Sequence, residues 1–384
     1  MGNFEVFSER LAQLLERSSI TPEEFIDQLG LEPSITVRDI LDGTHVLEPS
    51  DIVAAADVLQ VPIPVLTGDV PVAGHLGVSL RLGLVGDRAD TPNDALGYAD
   101  RMLSHQALLD DLLGSVAAAQ KVPMSTNRYG INAGRASADR VRRLCGLAGG
   151  PITDLVGLVE SFGFPVLFRM LPEGLHGFNV RDERGGHPKR MIVISTRGGW
   201  PLQRYTLAHE LCHALYDDAG QVIFDHLDEP DVIEEVRAEA FARELLLPRQ
   251  ALDAELRTRR IGPGSTAEVW SRAVPELMLR WGVSRQALVR SLVNDGHATE
   301  GALSIVRRTS VHELLERSGL REPWEQMCGP EHQESGSPML VARAIEAFGR
   351  GLVSLRFVAE AVDEDVAETE RLLVEAGWLR PVAV

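Results

Sequence analysis

The chain has 384 residues, 44% of them hydrophobic and 24% charged, a globular composition on a length that calls for several cores rather than one. No apolar run approaches the ~20 residues of a membrane-spanning helix, and the acidic, amphipathic N-terminal segment lacks the basic and then apolar regions of a secretory signal. A net charge of −18 argues against indiscriminate nucleic-acid binding and three cysteines argue against a disulfide framework, so a cytoplasmic location is expected. The acidity is uneven: residues 1–70 carry 13 acidic and 3 basic side chains, residues 71–299 carry 28 and 26, and residues 300–384 carry 15 and 9.

In chain order, Phe7, Leu11, Leu14 and Leu15 recur at helical spacing and predict a helix ending near Arg17. Thr21-Pro22-Glu23-Glu24 offers an N-cap, a proline at the first helical position and a glutamate three residues after the cap, and Gly30 ends that helix. Ser34 is the predicted cap of a helix over 35–41, and Ser50 that of a helix over 51–59 stopped near Pro62. The run F-x-x-R-L-x-x-L-L, T-P-E-E-F-x-x-x-L-G, I-L-D-G, L-x-V-P resembles the Xre/Cro-type helix-turn-helix family over about residues 4–68. The resemblance implies a five-helix DNA-reading module with residues 34–41 in the recognition position. Those residues offer one arginine, Arg38, in a strongly acidic segment that phosphate would repel, so protein contact or dimerisation is the competing role.

Residues 71–91 lack a clear period and read as linker, followed by a connecting helix over 92–120 with Leu96, Ala99, Leu103, Leu108 and Leu112 on its apolar face. A helix over 136–147 is expected to turn Arg140, Arg142 and Arg143 to solvent, and another covers 151–163. Strands at 164–168 and 191–194, with turn chemistry at 182–186, predict a small antiparallel sheet beside helices.

The chemistry-bearing motif is H-E-x-x-H, with His209 and His213 on one face of a predicted helix, so that two imidazoles can converge on one metal. Glu210 beside them can take a proton from the attacking water and pass it to a leaving amine. A catalytic zinc usually takes a third protein ligand. The metzincin extension is absent, since Tyr216 and Ala219 occupy its glycine and histidine positions. A following helix supplies a carboxylate: Glu235 shares a stripe with Ala238, Ala242 and Leu245, with Glu239 and Glu234 as alternatives, and a buried carboxylate there needs a partner.

The strand at 191–194, R-Y-T-L-A-H-E-L-x-H from Arg204, E-x-x-A-x-x-F-A-x-x-L-L-x-P from Glu235 and W-G-V-S-x-x-A-L from Trp281 together resemble the ImmA/IrrE family of metallopeptidases over about residues 135–296. The resemblance implies His209, His213 and Glu235 as zinc ligands, Glu210 as catalytic base, and a protein substrate, a repressor of the Xre type whose cleavage induces stress or mobile-element genes. Cys212 stands where that family usually has glycine, and helical geometry turns it away from the histidine face into the core.

Other candidates are His226 as an oxyanion donor or loop residue, Tyr205 and Tyr216 as hydrogen-bond donors or packed side chains, and Arg204 in substrate binding or structure. His176 and His187 are expected to be exposed in a hairpin, and the 191–194 strand could pair edge-on with an extended substrate. Three short acidic helices over 339–376 predict an interaction or dimerisation element. The reading is an α+β protein: an all-α helix-turn-helix domain at 1–70, linker and connecting helix at 71–134, a zincin-like peptidase domain at 135–296 and a C-terminal helical module at 297–384. The rival is a DNA-binding regulator whose peptidase-like domain is a sensor.

Overall fold

The computed structural model describes residues 7–8, 11–12, 15, 21–32, 34–47, 49–59, 66, 76–82, 93–114, 122, 130–147, 149–182, 189–218, 233–329 and 334–378. Their contacts divide into two units, Met1–His75 and Leu76–Val384. No helix among the described residues is long and apolar enough to cross a membrane.

The first unit contains α1 (Pro22–Gln28), α2 (Val37–Leu41) and α3 (Pro49–Val58). The start of α1 is the predicted one: the Thr21 hydroxyl accepts from the Glu24 amide at 3.2 Å, and the Glu24 carboxylate accepts from the Thr21 amide at 2.9 Å. The cap of α2 is Thr36 rather than Ser34. Three residues after Thr36 stands Asp39, whose carboxylate accepts from the Thr36 amide at 2.8 Å, whereas three residues after Ser34 stands apolar Val37. Leu11, Phe25, Ile26, Ile40, Leu47, Ala55 and Leu66 close the core of this unit.

The second unit is built on β1 (Leu76–Leu82), β2 (Val166–Arg169), β3 (Leu175–Asp182) and β4 (Lys189–Ser195) in the order β1-β3-β4-β2. Both contacts of β3 are antiparallel, but β2 and β4 are parallel, so the expected antiparallel sheet is mixed. Residues 76–82, expected in a linker, form an edge strand whose place is set by pairing with β3 rather than by a period of its own. Met191, Ile192, Val193 and Ile194 are all fully buried, because the sheet is covered on both faces.

One face lies under α4 (Asn93–Leu113), with Tyr98, Ala99, Met102 and Leu103 against Phe178, Val180, Met191 and Val193. The other face packs Val166, Ile192 and Ile194 into a core shared with α5 (Gly130–Leu144), α6 (Leu155–Ser161), α7 (Trp200–Tyr216) and α8 (Ile233–Leu246). A Cβ at Gly177 on β3 would lie 2.7 Å from Thr206 Cγ2, so the missing side chain is what lets α7 lie directly on the sheet. Arg142, expected on a solvated face, is 3% exposed, and its guanidinium donates to the Leu245 carbonyl at 2.6 Å and to the Gly150 carbonyl.

The same core runs on through α9 (Arg249–Arg259), α10 (Ala267–Trp281), α11 (Arg285–Asn294), α12 (Ser304–Arg308) and α13 (Val311–Arg317), and α14 (Arg321–Cys328) lies beside them. The last three helices, α15 (Pro338–Gly349), α16 (Leu355–Val362) and α17 (Val366–Glu375), bury Ala344, Ala347, Val358, Ala361 and Leu373 against Leu109 of α4. They are also tied to the sheet side by Glu160, which accepts from the Met339 amide at 2.8 Å, the Val166 amide at 3.3 Å and the Ser337 hydroxyl. Burial pushes the Glu160 carboxyl up from its ordinary value, against the pull of those hydrogen bonds.

Helices α5 and α8 touch at their backbones. A Cβ on Gly134 would overlap the Arg237 carbonyl oxygen and sit 2.9 Å from the Phe241 amide nitrogen. Gly134→Ala is therefore expected to lose about 1–3 kcal/mol of stability, although alanine is the better helix former, and an unchanged denaturant midpoint would contradict this close approach.

Candidate metal centre

Helix α7 is buried along almost its whole length, and His209, Glu210 and His213 are 1%, 1% and 3% exposed. It begins after Gly199 with a proline in its first turn and ends at Asp217, which takes the left-handed conformation that releases the chain. Because its polar groups have no water to turn to, each needs a partner from a neighbouring element.

Helix α8 provides the first. His209 Nε2 lies 3.0 Å from Glu235 Oε2, His213 Nε2 lies 3.2 Å from Glu235 Oε1, and the two Nε2 atoms are 3.0 Å apart. Three donors each ~2.05 Å from a tetrahedral ion would be separated by about 3.3 Å, so two imidazoles and one carboxylate fit a single small divalent cation. His209, His213 and Glu235 form the one such three-residue group among the described residues. Of the alternatives, Glu239 faces Arg243 at 3.8 Å, and Glu234 stands outside the group.

The electrostatics follow from the contacts. Burial would lower the basicity of His213, but the Asp218 and Glu235 carboxylates outweigh it and push its pKa up to about 10. Burial would raise the Glu235 carboxyl, but both imidazoles hold it well below the ordinary carboxylate range. A cation held here would compete with a proton on His213, so its affinity would rise with pH.

A second ring of side chains surrounds these three. Asp218 Oδ2 lies 3.1 Å from His213 Nδ1 and accepts from the Arg237 guanidinium. Arg237 is 1% exposed and stacks 3.9 Å over the ring of Tyr216, whose hydroxyl is 2.7 Å from Ser137 Oγ. On the sheet side, Asn179 Nδ2 donates to the Glu210 carbonyl at 3.1 Å and to the Glu210 carboxylate. None of Asn179, Asp218 and Arg237 was singled out by the sequence reading. Asp218 left a trace, a carboxylate five residues beyond His213, while Asn179 reaches the site only through the pairing of its strand.

The remaining candidates resolve into packing. Cys212 is fully buried, and burial pushes its thiol up to about 12. Tyr216 is buried against Ser137 and Arg237, and the Tyr205 hydroxyl lies 3.5 Å from the Glu239 carbonyl. Arg204 is structural: its guanidinium donates to the Ile152 carbonyl at 2.8 Å, stacks 4.6 Å over Trp200, and is lowered by burial to about 10. His176, expected to be exposed, is half-buried within β3, and His187 and His226 lie outside the described residues. Strand β4 cannot serve as an edge for an extended substrate, because β3 and β2 pair with it on its two sides.

Residues 159–293 match the family model Peptidase_M78, described as the IrrE N-terminal-like domain. That stretch runs from α6 to α11 and contains the sheet strands β2 to β4, the H-E-x-x-H helix and Glu235, which supports a peptidase of the IrrE type for this region. No curated protein matches the chain.

Two outcomes follow. Asp218→Asn is expected to weaken metal binding by about 10- to 100-fold in a chelator competition, because it removes the negative charge that faces His213 Nδ1 and leaves His213 less basic. In the native protein Cys212 is expected to resist alkylation until denaturant exposes it, and rapid native labelling at this residue would contradict its burial.

Proposed function

We propose that the chain is a zinc-dependent endopeptidase of the ImmA/IrrE type, cutting a protein substrate that is itself a helix-turn-helix repressor. The observation that carries the reading is the meeting of His209, His213 and Glu235 from two helices, with Glu210 buried one residue along. His209, His213 and Glu235 would hold the ion, which when bound supplies a Lewis acid for the scissile carbonyl and acidifies the attacking water. Glu210 takes the proton from that water and returns it to the departing amine. Asp218 fixes the ring of His213, and Arg237 holds Asp218 in place.

The repressor as substrate rests on the resemblance to the ImmA/IrrE family and on the Xre-like pattern of residues 4–68, which gives this chain a segment similar to its proposed target. We assign residues 1–70 to protein contact rather than to operator DNA. Their charge supports this, as does α2, where Thr36 and Asp39 close on each other and the one arginine, Arg38, faces Asp42 at 3.5 Å. Cleavage of a cytoplasmic regulator, with induction under stress or in mobile elements, completes the proposal.

The test is to express wild type beside Glu210→Gln in cells and compare the fragments of cellular proteins by mass spectrometry. Both proteins should bind about one zinc per chain, as one three-ligand site requires, and the variant should lose ~100- to 10,000-fold in cleavage rate. Equal cutting by both would refute the mechanism, and an operator bound tightly and selectively in a gel shift would refute the role given to residues 1–70.

A further inference from the structure

We infer that Asn179 is a positioning residue for Glu210, its amide holding the carboxylate in the one orientation from which a proton can be exchanged. This rests on the reading of Glu210 as the proton carrier. Asn179 is fully buried on β3, on the strand face turned to α7, two residues after the Gly177 that lets that helix lie on the sheet. Its Nδ2 meets two oxygens of the same residue, the Glu210 carbonyl and the carboxylate Oε2. Both are acceptors, so the side-chain nitrogen must face Glu210, since the flipped amide would set oxygen against oxygen.

The other end of the amide strengthens the case. Asn179 Oδ1 is buried with no hydrogen-bond partner, a cost that an aliphatic side chain at this position would avoid. What the amide offers in return is the pair of hydrogen bonds to Glu210. A glutamate side chain turns about three bonds, and anchoring both its backbone and its carboxylate to a sheet strand removes that freedom before the reaction begins. The interaction also explains how the sheet takes part in the site although none of its residues belongs to the three-residue group.

The experiment uses the full-length, zinc-loaded protein as wild type, Asn179→Asp, Asn179→Ala and Glu210→Gln. Asn179→Asp keeps the shape and removes the donor, and Asn179→Ala removes both. Cleavage is read on the substrate protein found by the comparison of fragments, and crystal structures of both Asn179 variants report where Glu210 stands. Expected are unchanged zinc content, KM within about twofold, kcat lower by roughly 10- to 100-fold, and a Glu210 carboxylate displaced or spread over several conformers. A kcat per bound zinc within about threefold of wild type, or a Glu210 that does not move, would overturn the inference. Asn179→Ser, a smaller change that also loses the amide, replaces any variant that fails to fold. If wild type itself cuts nothing, the peptidase reading falls, while the position of Glu210 in the variant crystals still decides the role of Asn179.

Discussion

Burial of the polar face of α7 is the constraint on which the second unit depends. Two imidazoles and a carboxylate sit on a helix with almost no access to water, and each would destabilise the fold if left alone. The neighbours resolve this one by one: Glu235 closes the two Nε2 atoms, Asp218 faces the far side of His213, and Asn179 takes Glu210. These partners come from a helix, a helix terminus and a strand, so correct packing of the whole α/β core is a condition for the site. Conversely, a divalent ion at the three donors would join α7 and α8 and add its binding energy to the fold.

How much of this was legible in the sequence depends on the range of each interaction. His209 and His213 are one helical turn apart, so their convergence is local and readable, and Glu235 could be found because the apolar stripe of its helix turned it inward. The cap of α2 was misread because Ser34 looks like a cap, while the reciprocal bonds of Thr36 with Asp39 decide the start. Sheet order was not readable at all, since residues 191–194 look alike as an edge or a central strand; only pairing with β3 and β2 makes β4 central. Arg142 was assigned to solvent by its position among arginines, yet two carbonyls reach it from Leu245 and Gly150.

Charge and function separate along the chain. The region that matches the peptidase family is close to electrically balanced, and its buried charges are met by an opposite charge, as Arg237 by Asp218, or by neutral hydrogen-bonding groups, as Glu160 and Arg204 are. The excess acid lies at the two ends, where it favours solubility and selects against phosphate-rich partners.

Strand β1 changes what counts as the peptidase part of the chain. It is drawn from residues just after the first unit, well before the family-matched stretch begins, yet it covers the outer edge of the strand that carries Asn179. Helix α4 likewise shields Phe178, Val180, Met191 and Val193 from outside that stretch. A fragment trimmed to residues 135–296 would keep every proposed ligand and still present a bare row of amides and carbonyls beside an uncovered apolar sheet, the combination that makes chains stack on one another. The smallest piece that keeps the sheet covered at this edge and on this face therefore starts at β1, so the stretch that matches the family model is shorter than the unit that packs together.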